Sequence, residues 1–465
     1  MMLKRLALIA VACCMLFAFK GDPAKQLPVI KVSDNHRFFT ADGKPFFWLG
    51  DTGWLLFAKL KRAEALQYLE TRRKQGFNLI QVMVVHSSKE VNAYGDSALT
   101  NKKIAEPKVT PGNTYGKGNE YDYWDHIDWI ISRAAEKGIY IALVPVWGSV
   151  VKESHINPAQ GKAYAEFLAK RYSAHSNIIW MNGGDIPGTD SLKTWNAIGA
   201  TIKELDPAHL VTFHPRGRTQ SSTWFHNESW LDFNSFQSGH RNYAQDTSKK
   251  DLKYGEDNWK YAEVDYAKKP VKPTIDAEPS YENIPYGLHD IKLPRWAAAD
   301  VRRYGYWSVF AGGCGYTYGN NDVMQMHKPG DNPKEVSYGS KAYWYQSINM
   351  PGAQQMVYLK KLMLSRPYFD RVPDQSLIAA GQGERYDHLV ATRGKNYAFV
   401  YTYNGRDMQI NTEPLEGSKV KASWYDPRSG QITVIGTFAK SKMLKFNPPG
   451  IKKNGNDWVL ILDAI

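Results

Sequence analysis

From Pro45 to Leu364 the chain alternates short apolar runs with amphipathic stretches, and few folds can absorb so long an alternation. "PFFWLGD" is the first apolar run. The stretch after it carries Leu66 and Leu69 and stops at Gly76. "FNLIQVMVVH" is the second, and "YDYWDHIDWIISRAAEKG" then places Trp124, Ile127, Ile131 and Ala134 on one helical face. "IYIALVPVWG" precedes the helical "AYAEFLAKRYSAH". "NIIWMNGGD" precedes a helix with Trp195, Ile198, Ile202 and Leu205 in register. The fifth and sixth strands are "LVTFHPRG" and "LDFNSFQSGH", and the seventh, "KPTIDAEPSYE", follows a helix around "NWKYAEVDYAKK". "AAADVRRYGYWSVFAGG", "CGYTYGN" and "GAQQMVYLKKLML" complete the series. Eight strand-then-helix units in one run predict the α/β class, a closed (β/α)8 TIM barrel within an outer helical ring. A doubly wound open sheet is the alternative. It would carry a Gly-rich nucleotide turn after its first strand, and "LGDTGW" is not one.

After "SRPYFDRVPDQS" the period shortens. "HLVATRG", "NYAFVYTYNG", "KASWYDPRSG", "QITVIGTF" and "WVLILD" read as short strands, separated by turn pairs such as Asn404-Gly405 and Ser429-Gly430. They predict a small C-terminal β-sandwich packed on the barrel. The expected organisation is therefore a leader over 1–22, a barrel over 29–368 and a sandwich over 375–465. The leader reading rests on Lys4 and Arg5 ahead of an apolar segment, Leu6 to Phe19, that is short for a membrane span. It predicts an exported protein. Ala12-Cys13 also permits lipidation at Cys13, which would be the chain's one route to a membrane.

Cys314 is the one cysteine beyond the leader, so no internal disulfide and no cysteine zinc site is expected. Its small neighbours in "FAGGCGYTYGN" suit a buried filler better than a nucleophile. The net charge of +13 favours acidic partners, whereas nucleic acid is not expected, because no recognition motif or concentrated basic stripe is present. The 15 Trp and 28 Tyr supply rings of the kind that line sugar clefts, although large barrels also use them as core.

In a barrel of this kind, chemistry lies at the C-terminal ends of the strands. The sequence places Asp51, His86, Trp147, Asn182 with Asp185, His214, Gln237 with His240, Glu278 and Tyr318 there, in strand order. Asp185 and Glu278, ending strands four and seven, should face each other across the mouth. Such a pair is what glycoside hydrolysis needs, one carboxyl group to protonate the leaving oxygen and one to attack or to activate water. Placement on strands four and seven favours the retaining course. Asp276 is on the same side of its strand and could compete with Glu278. Gly183 and Gly184 would let a substrate approach, and Asn182 could donate to a sugar hydroxyl. His86, His214 and His240 could in principle ligate a metal, but no His-x-His or His-Glu-x-x-His spacing occurs, so no metal and no cofactor is expected. No Gly-x-Ser-x-Gly elbow supports a serine triad. A carbohydrate-binding protein that keeps the barrel without catalysis is the main alternative.

"RFFTADGKPFFWLGDTGWLLF", "GFNLIQVMVV", "NIIWMNGGD" and "PTIDAEPSYE" resemble the apiosidase-type glycoside hydrolases, glycoside hydrolase family 140, over Val29 to Leu364. The tail with "WYDPRSG" is similar to the sandwich, labelled as collagen-binding, that often follows this barrel. The resemblance implies cleavage of the apiose–galacturonic acid linkage in the pectic polysaccharide rhamnogalacturonan II, an acidic plant cell-wall substrate. It also implies Asp185 as acid/base and Glu278 as nucleophile. A glycosidase for another plant glycan stays open.

Overall fold

The computed structural model describes residues 26–246, 254–334 and 336–465. The leader expected over 1–22 lies outside them. Among the described residues no helix is long and apolar enough to cross a membrane.

The eight expected strands form one sheet: β1 (Trp48–Thr52), β2 (Leu79–Val85), β3 (Tyr140–Val146), β4 (Ile178–Ile186), β5 (Val211–Pro215), β6 (Asn234–Gln237), β7 (Thr274–Asp276) and β8 (Gly315–Tyr318). All seven ladders, in the order β5-β4-β3-β2-β1-β8-β7-β6, are parallel. A two-residue strand, Thr219–Gln220, adds antiparallel to β6. The remaining gap, between β5 and β6, is bridged partly by side chains. Asp232 N–H donates to Val211 O at 2.8 Å, Thr212 Oγ1 to Phe233 O at 2.7 Å and Ser235 Oγ to Phe213 O at 2.5 Å. The sheet is thus a nearly closed barrel, and its interior is filled rather than open. There, Trp48 Nε1 donates to Thr317 Oγ1, which donates to Gln81 Oε1, while Gln81 Nε2 donates to Ala277 O.

Around it run α1 (Arg62–Lys74), α2 (Tyr123–Glu136), α3 (Pro158–Tyr172), α4 (Leu192–Leu205), α5 (Trp259–Ala267), α6 (Ala298–Phe310) and α7 (Pro351–Met363). Two of the helix starts carry side-chain caps: Asp122 accepts from Trp124 N–H and Asp125 N–H, and Asn157 caps a helix that begins with Pro158. The four apolar residues expected on one face of α2 are all buried, whereas Leu205, the last residue of α4, is exposed. Between β5 and β6 the helix is a single turn, Ser222–Phe225.

A three-stranded antiparallel sheet (Ile30–Val32, Phe39–Ala41, Lys44–Phe46) plugs the end of the barrel where the strands begin. Phe39 packs on Trp48 and Phe233, and Phe46 on Tyr140, all at strand starts. The opposite end stays open. The C-terminal domain pairs a six-stranded antiparallel sheet with a three-stranded one around Leu389, Val400, Ile410, Trp424 and Leu462. Alternate residues on the outer face of the larger sheet turn to α6. Tyr401 stacks on Tyr306 at 4.7 Å, and Arg302 holds Asp457 bidentately at 2.8 and 2.7 Å. The sandwich is therefore docked through a buried, partly ionic interface and not tethered by a linker.

Candidate active site

The open end holds a cleft of about 480 Å³ whose wall includes Asp185 and Glu278. Asp185 reaches it through an irregularity in β4. Gly183 pairs with His214 and Ile186 with the next residue, Pro215, so Gly184 and Asp185 are extruded as a bulge. Three successive residues there have positive φ: Gly183 (89°), Gly184 (123°) and Asp185 (47°). A Cβ on Gly183 would come within 2.6 Å of His214 O, and one on Gly184 within 2.6 Å of the Trp147 ring. The glycines therefore admit the protein's own walls, not a substrate as the sequence suggested.

The bulge is pinned at two points. Asp185 N–H donates to His214 Nδ1 at 3.2 Å, and Gly217 N–H donates to Asp185 Oδ1 at 3.2 Å. Because Nδ1 accepts there, the proton of a neutral His214 ring sits on Nε2, which lies 3.0 Å from Glu278 Oε2. His240 Nε2 lies 3.2 Å from the other oxygen, Oε1. Tyr281, whose hydroxyl accepts from Trp54 Nε1 at 3.0 Å, completes the surround of Glu278. Trp54, Trp147 and the His214 ring pack together at 5.4 to 5.7 Å and form one aromatic wall.

These contacts separate the two carboxyl groups electrically. Burial pushes Glu278 up, but the close imidazoles of His214 and His240 outweigh it and hold the group at about 2. Asp185 is pushed up from its ordinary value, first by its enclosure and then by the Glu278 charge. Its side chain is open to the cleft, so solvent moderates that push. One group kept ionised beside another biased toward its acid form is the division of labour that acid-assisted displacement requires.

The other rim residues divide into two sets. His86, Trp147, Gln237 and His240 line the cleft. His86 Nδ1 is paired with Glu90 while His214 and His240 address Glu278, so the three imidazoles do not converge. Asp51, Asn182 and Tyr318 lie away from the cleft, each fully buried. Asp51 points to the helical layer, where it accepts from Arg72 Nε at 2.7 Å and from the Tyr68 hydroxyl. Asn182 Nδ2 donates to Trp195 O at 2.8 Å, and its Oδ1 accepts from Gly183 N–H at 3.0 Å, so it braces the bulge. The Tyr318 hydroxyl donates to Glu282 at 2.5 Å. Substrate cannot reach these three, which corrects their expected role. Nor does Asp276 compete with Glu278: it accepts from Ser238 Oγ at 2.8 Å and Asn258 Nδ2 at 3.1 Å, and burial pushes it up to about 7. Cys314 is buried, and burial pushes its thiol up to about 12.

Sequence reasoning missed much of the wall. Trp54 follows the first strand end by three residues and was findable on that ground. Arg216, Arg218, Arg241, Tyr281 and Tyr338 sit in loops whose paths only the fold defines. Arg218 is held by Asp246 at 2.6 Å, whereas the guanidinium groups of Arg216 and Arg241 have no partner among the described residues. Four buried atoms at the wall, Gln237 Oε1, His240 Nδ1, His214 Nε2 and Glu278 Oε2, likewise lack an aligned hydrogen bond, the last two lying 3.0 Å apart as a charge contact.

An eight-stranded barrel with an electrostatically divided carboxyl pair at the strand ends defines the class: a barrel glycoside hydrolase. Residues 33–370 match the model of the apiosidase-like catalytic domain, and residues 372–463 match that described as "Putative collagen-binding domain of a collagenase". The chain belongs to the apiosidase-like family of glycosidases. A solved structure titled "Glycoside hydrolase" is 47% identical over 94% of this chain and 97% of its own, with a TM-score of 0.89. Another, described as a glycoside hydrolase family 5 protein from Bacteroides vulgatus ATCC 8482, is 45% identical over 94% and 93%, with a TM-score of 0.88. No curated protein matches the chain.

Proposed function

We propose that the protein is a retaining glycosidase of plant cell-wall pectin that cleaves the apiosyl–galacturonic acid linkage of rhamnogalacturonan II. Glu278 is the nucleophile and Asp185 the acid/base. The observation that carries this reading is the double clamp of Glu278 by His214 and His240 opposite an Asp185 biased toward protonation. In the first step Asp185 gives its proton to the glycosidic oxygen as the bond to the anomeric carbon breaks, and a Glu278 oxygen bonds that carbon. In the second, ionised Asp185 takes a proton from water, the water oxygen bonds the anomeric carbon, and Glu278 leaves as carboxylate.

The unpaired Arg216 and Arg241 favour an acidic glycan, since a guanidinium can hold a uronate carboxylate bidentately. Gln237 and His240 line the cleft as polar groups, with Trp147 and Trp54 offering ring faces. The net charge of +13 suits such a substrate, and the leader sequence suits action in the periplasm or at the cell surface. The test is chromatography of the sugars released from rhamnogalacturonan II oligosaccharides. Release of apiose supports the reading. Release of a different sugar, or of apiose equally well from neutral glycans, would move the specificity elsewhere.

A further inference from the structure

Tyr338 is a cleft residue that neither the carboxyl pair nor the family resemblance singled out. It sits in the long connection from β8 to α7 with φ of 53°, a left-handed conformation that is uncommon for an aromatic residue. The next residue, Gly339, is also left-handed at 57°. The surroundings determine that conformation from both sides. Ser337 N–H donates to Gln325 Oε1 at 2.8 Å, and Gln325 Nε2 returns a bond to Ser337 O at 3.2 Å. Asn321 Nδ2 donates to Tyr338 O at 3.0 Å, and Arg295 Nη2 to Gly339 O at 2.5 Å. Ser340 Oγ donates to Asp322, itself fully buried and also bound to Asn283 and Ser347.

Four consecutive residues are thus fixed by four buried or half-buried side chains, while the Tyr338 side chain itself lines the cleft. Its one close ring neighbour is His289, at 6.0 Å. Its hydroxyl has no hydrogen-bond partner among the described residues. Asp185 and Glu278 line the same cleft, and the phenol is pushed up from its ordinary value by enclosure, then by the charges of Glu278 and Asp185. A strained backbone held this firmly, ending in an uncommitted hydroxyl beside the reacting groups, is better explained by a ligand contact than by packing.

We propose that the Tyr338 hydroxyl hydrogen-bonds the sugar held between Asp185 and Glu278, at the hydroxyl adjoining the anomeric carbon, and does so most strongly in the transition state. Bonds to that hydroxyl are known to tighten as the anomeric centre acquires charge. The assignment rests on Asp185 and Glu278 being the reacting pair. It makes Tyr338 a substrate-touching residue supplied by the connection after β8, across the cleft from the acid.

The experiment compares wild type, Tyr338→Phe, Tyr338→Ala, Asp185→Asn and Glu278→Gln by steady-state kinetics on rhamnogalacturonan II oligosaccharides, with melting temperatures for each. Tyr338→Phe keeps the ring and removes only the hydroxyl. It is expected to lower kcat by about 10- to 100-fold, with a smaller change in KM and an unchanged melting temperature. A Tyr338→Phe enzyme with at least half the wild-type kcat/KM, alongside inactive Asp185→Asn and Glu278→Gln, overturns the role of Tyr338 and leaves the pair intact. Full activity in both carboxyl variants instead overturns the pair, and the assignment of Tyr338 with it.

Discussion

His214 joins the two carboxyl-bearing strand ends through one ring: its Nδ1 accepts the Asp185 backbone N–H at 3.2 Å, and its Nε2 lies 3.0 Å from Glu278 Oε2. The same imidazole thus positions the bulge that carries Asp185 and keeps Glu278 ionised. Removal of the ring should affect both. For His214→Ala we expect kcat/KM to fall by about two orders of magnitude and the acidic limb of the pH–rate profile to move upward, because Glu278 loses one of the two imidazoles that lower it. A profile of unchanged shape would show that the ring is only packing.

The raised Asp185 has a consequence for stability with a defined sign. Its folded-state value exceeds the unfolded one, so the native state binds its proton more tightly. Its favourable contribution is complete at low pH and is lost as pH rises through the folded value. Asp185→Asn should therefore melt higher than wild type at neutral pH and no higher near pH 3, while losing activity. Melting curves at the two pH values check this.

Asp51 looked like a site residue from sequence and is instead the counter-charge of Arg72, both fully buried. Asp51→Ala would leave that guanidinium without its carboxylate, at a cost of about 3–5 kcal/mol. The expected outcome is a large fall in the urea midpoint, with KM for substrate unchanged in the fraction that folds. A changed KM at normal stability would return Asp51 to the site.

Gly184→Ala tests the bulge. The added methyl would meet the Trp147 ring at 2.6 Å, in a backbone conformation that alanine avoids. Activity should fall at least about tenfold, since a shift of this size misplaces the acid. Tryptophan fluorescence should report the displaced ring, and wild-type kinetics would contradict the geometry.

The barrel was legible because periods of 2 and 3.6 residues persist through most of its units and turn residues mark their ends. Asp185 and Glu278 were legible because each ends such a run. What a strand end does not disclose is the side on which its residue emerges. Asp51 points outward to Arg72, Asn182 braces the bulge through Trp195, and Tyr318 binds Glu282, each through a partner distant in sequence. Tyr338 was not legible either, because tertiary anchors such as Asn321 and Arg295 set the course of its loop, and Arg216 and Arg241 lie in loops beyond β5 and β6 that carry no periodic signal. The tight fit of Gly184 against Trp147 likewise exists only once β3 and β4 lie side by side.

The most direct test of the carboxyl pair is rescue by azide, with an oligosaccharide or activated aryl glycoside that wild type cleaves. Asp185→Ala should lose about 10²–10⁴-fold in turnover of the natural linkage, and its turnover of the activated aryl glycoside, whose leaving group needs no proton, should rise with azide, giving a glycosyl azide of the substrate's own anomeric configuration. Glu278→Ala should form no covalent intermediate, and any azide product should have the opposite configuration. Wild-type activity on the natural linkage in either variant, or the same azide configuration from both, would contradict the account.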